Sequence, residues 1–451
     1  MRDAQGASTE FLDPPSARQL DWPGWLSALR PVSVYGQAAK GRLRPFLPGE
    51  EDAFTDHFAR LKSDIAFLSE EAIRHLRGLL ADLPDIRPLL GLGAPPGMRG
   101  WLALKRFACL GRQAATVYRE AGGSAHVGTE TAWTALAEAL GRPDTPSFAW
   151  AHAAGDGYLQ LANRHRERVR ALAAARRARD EAWLAETGTR PDREGRVTVP
   201  LPASWQLAQT LKRRAETAGD VQWVRDTPFE SVFVLEPSPR MRELGASAEQ
   251  VEQELAAAEE AVKERLWRNL CARVADWRRA IDWTAQLDLQ VARVVLAREW
   301  QAAVPELADD GCISIVGGRS PQLTERLEAI GLAFEPLDWR LTGRVQVLCG
   351  SNMGGKTVAL TLLAGVQALA QYGLPVPTVA FRTRLFRGIR THLVESAPEA
   401  GLVSSFAHEV LRMGDVWHAA SQPGPWLVVL DEPWRSTDPQ AGEALAVAVL
   451  S

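Results

Sequence analysis

Between about 50 and 165, apolar residues recur three and four positions apart, as in FTDHFARLKSDIAFL and EEAIRHLRGLLADL. That spacing lines one face of a helix. Pro and Gly clusters around Gly91, Gly93, Pro95, Pro96 and Gly97 divide the stretch into separate helices. A long helix is predicted from about 157 to 186. Its middle is strongly basic, with Arg164, Arg166, Arg168, Arg170, Arg176, Arg177 and Arg179 set against Glu167 and Asp180. VTVPLP, VQWVR and SVFVLE, within about 190–246, then read as short strands between turns. Ser247, with Gln250 at capping-box spacing, opens a second long helix. Val251, Leu255, Val262, Leu266, Leu270, Val274, Trp277 and Ile281 keep helical spacing along it, and its early part is acidic.

A basic helix leading out and an acidic helix leading back pack antiparallel as a coiled-coil arm. Two readings of the arginines stay open: they face the returning carboxylates, or they form a nucleic-acid surface. After about 310 the pattern becomes α/β. CISIVG, VQVLCG and WLVVLD read as buried strands, and TVALTLLAGVQALAQYG as a helix. Residues 1–30, with Pro14, Pro15 and Pro23, read as a loosely ordered lead-in.

The length of 451 residues suggests three domains at about 150 residues each. A 46% hydrophobic and 24% charged composition is that of a soluble globular chain. The net charge of −3 excludes a globally basic coat but leaves room for a local basic patch. No apolar run reaches the roughly 18 residues of a membrane span, and MRDAQGASTE lacks a signal peptide's pattern, so the cytoplasm is the expected location. Cys109, Cys271, Cys312 and Cys349 show no C-x-x-C spacing. Buried free thiols are expected rather than a zinc knuckle or a disulfide framework.

The chemistry is concentrated near the carboxy-terminal end. Gly350-Ser351-Asn352-Met353-Gly354-Gly355-Lys356-Thr357 fits G-x-x-x-x-G-K-[ST], between a predicted strand and a predicted helix. Glycines let successive N–H groups curl toward phosphate oxygens, and the following helix adds the positive end of its dipole. Lys356 is the candidate for the β- and γ-phosphates, and the Thr357 hydroxyl for Mg²⁺. Downstream, WLVVL ends in Asp431-Glu432, a Walker B pattern. Asp431 is the candidate for the Mg²⁺ shell. Glu432 is the candidate to orient or deprotonate the attacking water.

These residues resemble the MutS family of ATPases, whose loop reads G-x-N-M-G-G-K-[ST]; Asn352-Met353 is the discriminating pair. Gly318-Arg319-Ser320-Pro321 resembles the family's G-R-H-P, Phe334-Glu335-Pro336-Leu337-Asp338 its adenine-stacking segment, and Ser404-Ser405-Phe406-Ala407-His408-Glu409 its S-T-F-x-x-E signature. The resemblance implies that Phe334 stacks on adenine, against the alternative of a core phenylalanine. It also implies that Ser404 and Ser405 reach the γ-phosphate held by a second subunit, so that a homodimer or a heterodimer with a MutS-like partner forms composite sites. Where the family reads D-E-x-G-R-G-T, this chain has Trp434 and Ser436 in place of glycines, while Arg435 and Thr437 match. Ser33-Val34-Tyr35-Gly36 with Leu43 resembles the start of the lever domain, and Leu287-Asp288 stands where the arm re-enters the core.

The resemblance implies a mixed fold. A helical lever or core over 31–160 leads to a coiled-coil arm with a β-rich clamp over 161–310. An α/β P-loop ATPase domain of ABC type follows over 311–451. By the same resemblance the mismatch-reading and connector domains are expected to be missing, since no Phe-x-Glu wedge is found, and the end at Ser451 is expected to fall inside the helix after Walker B. A truncated gene product, a fragment or a degenerate member is the expectation. The function implied is hydrolysis of ATP, with Mg²⁺, to drive a clamp on double-stranded or branched DNA, in mismatch repair or the processing of other DNA structures. The alternatives are a reactivating chaperone acting on a protein partner and a non-hydrolysing binding module.

Overall fold

The computed structural model describes residues 11–123, 127–140, 145–351, 355–393 and 405–434. In chain order the helices are α1 (Pro14–Gln19), α2 (Trp22–Ser27), α3 (Val34–Lys40), α4 (Glu51–Phe67), α5 (Glu70–Ala81), α6 (Met98–Glu120), α7 (Val127–Ala139), α8 (Trp150–Ala154), α9 (Asp156–Thr187), α10 (Trp205–Thr217), α11 (Pro239–Ala272), α12 (Val274–Glu299), α13 (Pro321–Glu328), α14 (Lys356–Gln371) and α15 (Ser405–Ala420). The strands are β1 (Arg196–Pro200), β2 (Val221–Asp226), β3 (Glu230–Leu235), β4 (Glu306–Leu307), β5 (Ile313–Gly318), β6 (Leu337–Leu341), β7 (Ala380–Thr383), β8 (Gly388–His392) and β9 (Trp426–Leu430). Two units divide the chain: residues 1–87, 106–134 and 275–451 form one, and 88–105 and 135–274 the other.

In the first unit, Ser33 caps α3 by accepting the Gly36 N–H (2.9 Å). The buried Asp288 on α12 accepts the N–H groups of Val32 (3.0 Å) and Ser33 (2.7 Å) and the Ser33 hydroxyl (2.6 Å). Burial pushes the Asp288 carboxyl above its ordinary value, although these bonds pull it down. A Cβ on Gly36 would stand 2.1 Å from Asp288 Oδ2, so only glycine allows this approach. The two short segments at the ends of the 31–310 stretch thus meet in one buried knot.

The same unit holds a four-stranded sheet in the order β4-β7-β5-β6, with β5 antiparallel to both neighbours. A separate parallel pair, β8-β9, runs in register from Gly388 opposite Trp426 to His392 opposite Leu430. Leu362 to Gln371 of α14 are all buried. Phe11, Leu12, Leu20, Trp22, Trp25 and Leu29 join that core. The expected loose lead-in is thus packed structure from residue 11 onward. Its prolines stand at the first helical positions of α1 and α2, after the capping Asp13 and Asp21. Proline is tolerated there because that N–H needs no helical partner. Trp22 packs on Tyr372 (4.6 Å) and Trp25 on Trp300 (5.7 Å).

Residues 345–350 correct another expectation. VQVLCG is not a buried strand: the segment lies outside the strands, with Val345, Val347 and Leu348 exposed at 55%, 71% and 41%. An apolar run specifies β-propensity, but a buried strand needs a paired edge and two covered faces. Among the described residues β9 pairs with β8 alone. The Trp339 indole of β6 donates instead to the Gln346 side chain (3.0 Å). WLVVLD does form a strand, β9, with alternating rather than continuous burial.

In the second unit, α9 and α11 run side by side and antiparallel. Arg164 reaches Glu254 (3.9 Å), and Arg265 donates to the Ala153 carbonyl. The cap of α11 is Ser238, not Ser247; Pro239 follows at the first helical position and the helix runs through Ser247. VTVPLP, VQWVR and SVFVLE form the antiparallel sheet β1-β3-β2. The helix α10, not foreseen, covers its inner face. Ala208 and Leu211 meet Val197, Val199, Val221, Phe233, Leu235 and Trp183 there.

Of the cysteines, Cys109 alone is buried; Cys271 and Cys349 are exposed and Cys312 is half-buried. Cys349 follows the exposed 345–348 run, which accounts for that departure from buried thiols. Among the described residues no helix is long and apolar enough to cross a membrane.

Candidate functional site

The glycine-rich loop ends on Gly355, whose φ of +77° caps α14 without a side-chain bond. That left-handed value favours glycine and turns the chain sharply into the helix. Lys356 opens α14, half-buried, and its ammonium donates to the carbonyls of Gly350 (2.9 Å) and Ser351 (3.4 Å). The lysine therefore folds back over its own loop. The free N–H groups at the start of α14 and this ammonium make the region electropositive. Asn352, Met353 and Gly354 lie outside the described residues.

Thr357 and Asp431 are separated by 74 positions, yet the threonine hydroxyl donates to Asp431 Oδ2. The strand β9 delivers Asp431 at its carboxy-terminal end, buried at 4% exposure, while the His392 carbonyl of β8 accepts the Asp431 N–H (2.8 Å). A hydroxyl beside a carboxylate at a phosphate-type loop is the oxygen donor pair that a hard cation takes, with phosphate and water completing its shell. The pair fits Mg²⁺ in this respect. Among the described residues no group of three or more His, Cys, Asp or Glu side chains could hold a metal by itself.

Glu432 is exposed, one residue beyond Asp431. Its φ is +41° and that of Trp434 is +68°. Left-handed backbone at two non-glycine residues costs on the order of 1 kcal/mol each, so surrounding contacts must hold the turn. The position at which the family carries glycine is thus filled by a buried tryptophan in a glycine-like conformation. The sequence signalled a departure at Trp434 but not what restrains it. That restraint comes from Glu409 of α15, whose Oε1 accepts the Trp434 N–H and lies 3.5 Å from His392 Nε2.

Other expected residues are dispersed. Phe334 is half-buried in the loop before β6, so it is not a core phenylalanine. Ser405 opens α15, and Ser404 lies outside the described residues, as do Arg435, Ser436 and Thr437. Arg164, Arg166, Arg168, Arg170, Arg176 and Arg177 on α9 are exposed. Arg179 is half-buried and bonds Asp180 (2.8 Å). Leu161, His165, Leu172, Ala175, Arg179 and Trp183 form the more buried row of α9. At 100° per residue, Arg166, Arg170 and Arg177 fall on the side away from that row. Among the described residues no acidic side chain forms an ion pair with Arg166, Arg168, Arg170, Arg176 or Arg177; Arg164 reaches Glu254 only at 3.9 Å.

Sequence reading also missed a cluster that ties the amino-terminal segment to this region. Arg412 of α15 pairs with Asp13 and donates to Ser16 Oγ (2.8 Å) and the Thr391 carbonyl (2.7 Å). Burial alone would raise the Asp13 carboxyl, but the bonds from Arg412 and Ser16 override it and hold the group below its usual value. The sole signal in the sequence was Asp13 ahead of two prolines.

The family model described as MutS domain V matches residues 346–451. The chain is 32% identical to the "Endonuclease MutS2" of Thermomicrobium roseum over 63% of its own length and 35% of that relative. It is 31% identical to the "Endonuclease MutS2" of Geobacillus thermodenitrificans over 44% of its length and 25% of the relative. To the "DNA mismatch repair protein MutS" of Erythrobacter litoralis it is 33% identical over 49% and 24% respectively. It thus spans about a quarter to a third of the length of these curated relatives.

Proposed function

Because the chain is a MutS-family protein, we propose that it is an ATPase whose nucleotide cycle drives a grip on double-stranded or branched DNA. The observation that carries the reading is the meeting of Thr357 with Asp431 at the mouth of the glycine-rich loop. In this reading Lys356 leaves the loop carbonyls for the β- and γ-phosphates, while loop N–H groups take the remaining phosphate oxygens. Thr357 and Asp431 hold the cation. Bound Mg²⁺ neutralises charge on the phosphate oxygens. Glu432, exposed and next to Asp431, orients a water and takes its proton; the water oxygen bonds to the γ-phosphorus as the bond to ADP breaks. Phe334 stacks on the adenine. Ser404 and Ser405 reach the nucleotide of a second MutS-like chain.

DNA is the favoured partner because the outward row Arg166, Arg170 and Arg177 lacks acidic partners among the described residues. Neutralised arginines would have favoured a protein partner instead. The relatives named as endonucleases extend well beyond the matched part, and no nuclease step is assigned to these residues.

Two substitutions test the chemistry. Lys356→Ala should abolish nucleotide binding. Glu432→Gln should bind Mg-ATP with affinity close to that of the parent and lose turnover by roughly a hundredfold or more. Parent-like turnover in either variant contradicts the assignment.

A further inference from the structure

We propose that the open edge of β2, with the groove beside it, docks an extended segment of a partner protein that carries a lysine or arginine between apolar residues. The inference does not depend on nucleotide chemistry. Among the described residues β2 pairs with β3 alone, as the outer strand of the sheet β1-β3-β2. Such an edge offers N–H and C=O groups to another strand. The register of β2 on β3 slips between Trp223 and Arg225, an irregularity that shortens the usable edge. It leaves Val221 to Trp223 in regular register, and the groove opens beside that part of the strand.

The groove, of about 530 Å³, lies between β2 and α10; Val221, Trp223, Lys212, Ala215, Glu216 and Glu236 line it. Val221 is buried beneath α10 with Ala208 and Leu211. Alternation along the strand puts Trp223 on the same face. Its indole Nε1 donates to Asp226 Oδ1 (3.0 Å), and the Lys212 ammonium stands 5.1 Å from its ring centre. The ring is held in place, yet the residue is 46% exposed. Residues directly opposite each other on paired strands place their side chains on the same face. A strand added along this edge therefore aims every second side chain past Trp223 into the groove, while its main chain pairs with β2. In strand addition the main chain supplies affinity and the alternate side chains supply specificity.

The charges state what the added strand carries. Lys212 is already paired with Asp226. Glu216 and Glu236 are exposed, and among the described residues neither forms an ion pair. The groove thus presents two carboxylates without cations beside a bare aromatic face. They repel DNA phosphates, and a second copy paired edge to edge would bring the same carboxylates against them. A cationic side chain flanked by apolar ones suits both features.

The test uses the full chain and a labelled, end-blocked heptapeptide, Thr-Val-Thr-Lys-Thr-Val-Thr, read by fluorescence anisotropy. Its valines and lysine share one face when extended. The peptide should bind saturably, and glutamate in place of its lysine should weaken binding roughly tenfold or more. Methylating the amide nitrogens of the valines and lysine removes the donors on one edge of the peptide; methylating those of the threonines removes the donors on the other. One of these two peptides should bind roughly tenfold more weakly or worse, and the other should keep most of its affinity. The double variant Glu216→Gln/Glu236→Gln changes only exposed positions and should narrow the preference for lysine over glutamate to about threefold or less. Trp223→Ala should weaken the lysine peptide roughly tenfold. If that variant does not fold, the double variant and the methylated peptides still decide the matter.

Absence of saturable binding at millimolar peptide overturns the proposal. So does equal affinity for the lysine and glutamate peptides, a parent-like preference in the double variant, or methylation that acts alike on both edges. Matched duplex DNA that displaces the peptide at a fixed near-physiological salt concentration also overturns it, and makes the groove part of a DNA surface. A peptide that stays bound beside saturating DNA supports it.

Discussion

His57 on α4 shows how a single side chain can make this molecule sensitive to acid. Its Nε2 donates to the Gly373 carbonyl (2.9 Å), and its ring packs against Phe46 and Phe58. Burial is the main cause that brings its pKa down to about 4; the charge of Arg293 adds to it, and the Gly373 bond opposes it. The folded state therefore prefers neutral imidazole. Between the unfolded value near 6.5 and the folded value, the unfolded chain binds the extra proton, so stability rises with pH and is lost as pH falls through that window, by up to about 3 kcal/mol. Thermal melts from pH 7 to pH 4 should show this loss, and His57→Gln should flatten the slope; equal slopes in the two chains would rule it out. At the same scale, the spacing of Gly350, Lys356 and Thr357 marks the loop as a candidate without any structure, because a phosphate-binding loop demands small residues, one cation and one hydroxyl at fixed intervals. Glu409 was not readable in that way. Its partner lies 25 positions away, and only folding brings the two together.

At the scale of elements, the apolar pattern read α4, α5 and α14 well, since each buries one coherent face or one continuous apolar run. It failed where local signals competed. Ser247 and Gln250 imitate a helix start, but Ser238-Pro239 lies upstream and nothing between them stops the helix. Ser238 accepts the Met241 N–H (3.3 Å). Ser238→Ala should therefore cost about 1 kcal/mol in urea unfolding, and Ser247→Ala close to nothing. A reversed order would restore Ser247 as the cap. VQVLC failed for a different reason: strand pairing is a non-local property that composition does not carry, and this segment has a side-chain bond to Trp339 in place of a ladder. The amino-terminal helices failed because three prolines look like disorder until an aromatic pocket is available. Trp22 and Trp25 find it beside Tyr372 and Trp300.

At the scale of the whole molecule, the proposed function needs both the glycine-rich loop of one unit and the arginine-bearing helix of the other. The G-x-x-x-x-G-K-[ST] spacing and the run of arginines both stand in the sequence. The structure adds that Thr357 meets Asp431, and that the row Arg166, Arg170 and Arg177 lacks acidic partners among the described residues. An ATPase that grips DNA requires the two features to communicate, so its DNA affinity must depend on nucleotide. The direct measurement is fluorescence anisotropy of labelled matched, mismatched and branched duplexes. It is made at a fixed near-physiological salt concentration, with and without Mg-ATP, on the parent chain and on the Arg166/Arg170/Arg177→Gln triple variant. Binding should change with nucleotide, weaken with salt, and weaken in the triple variant together with a smaller salt slope, since three charges offered to DNA phosphates are removed. Undetectable binding to every duplex by a chain that still binds and hydrolyses ATP would contradict the proposed function, and would leave a protein as the target of the motor.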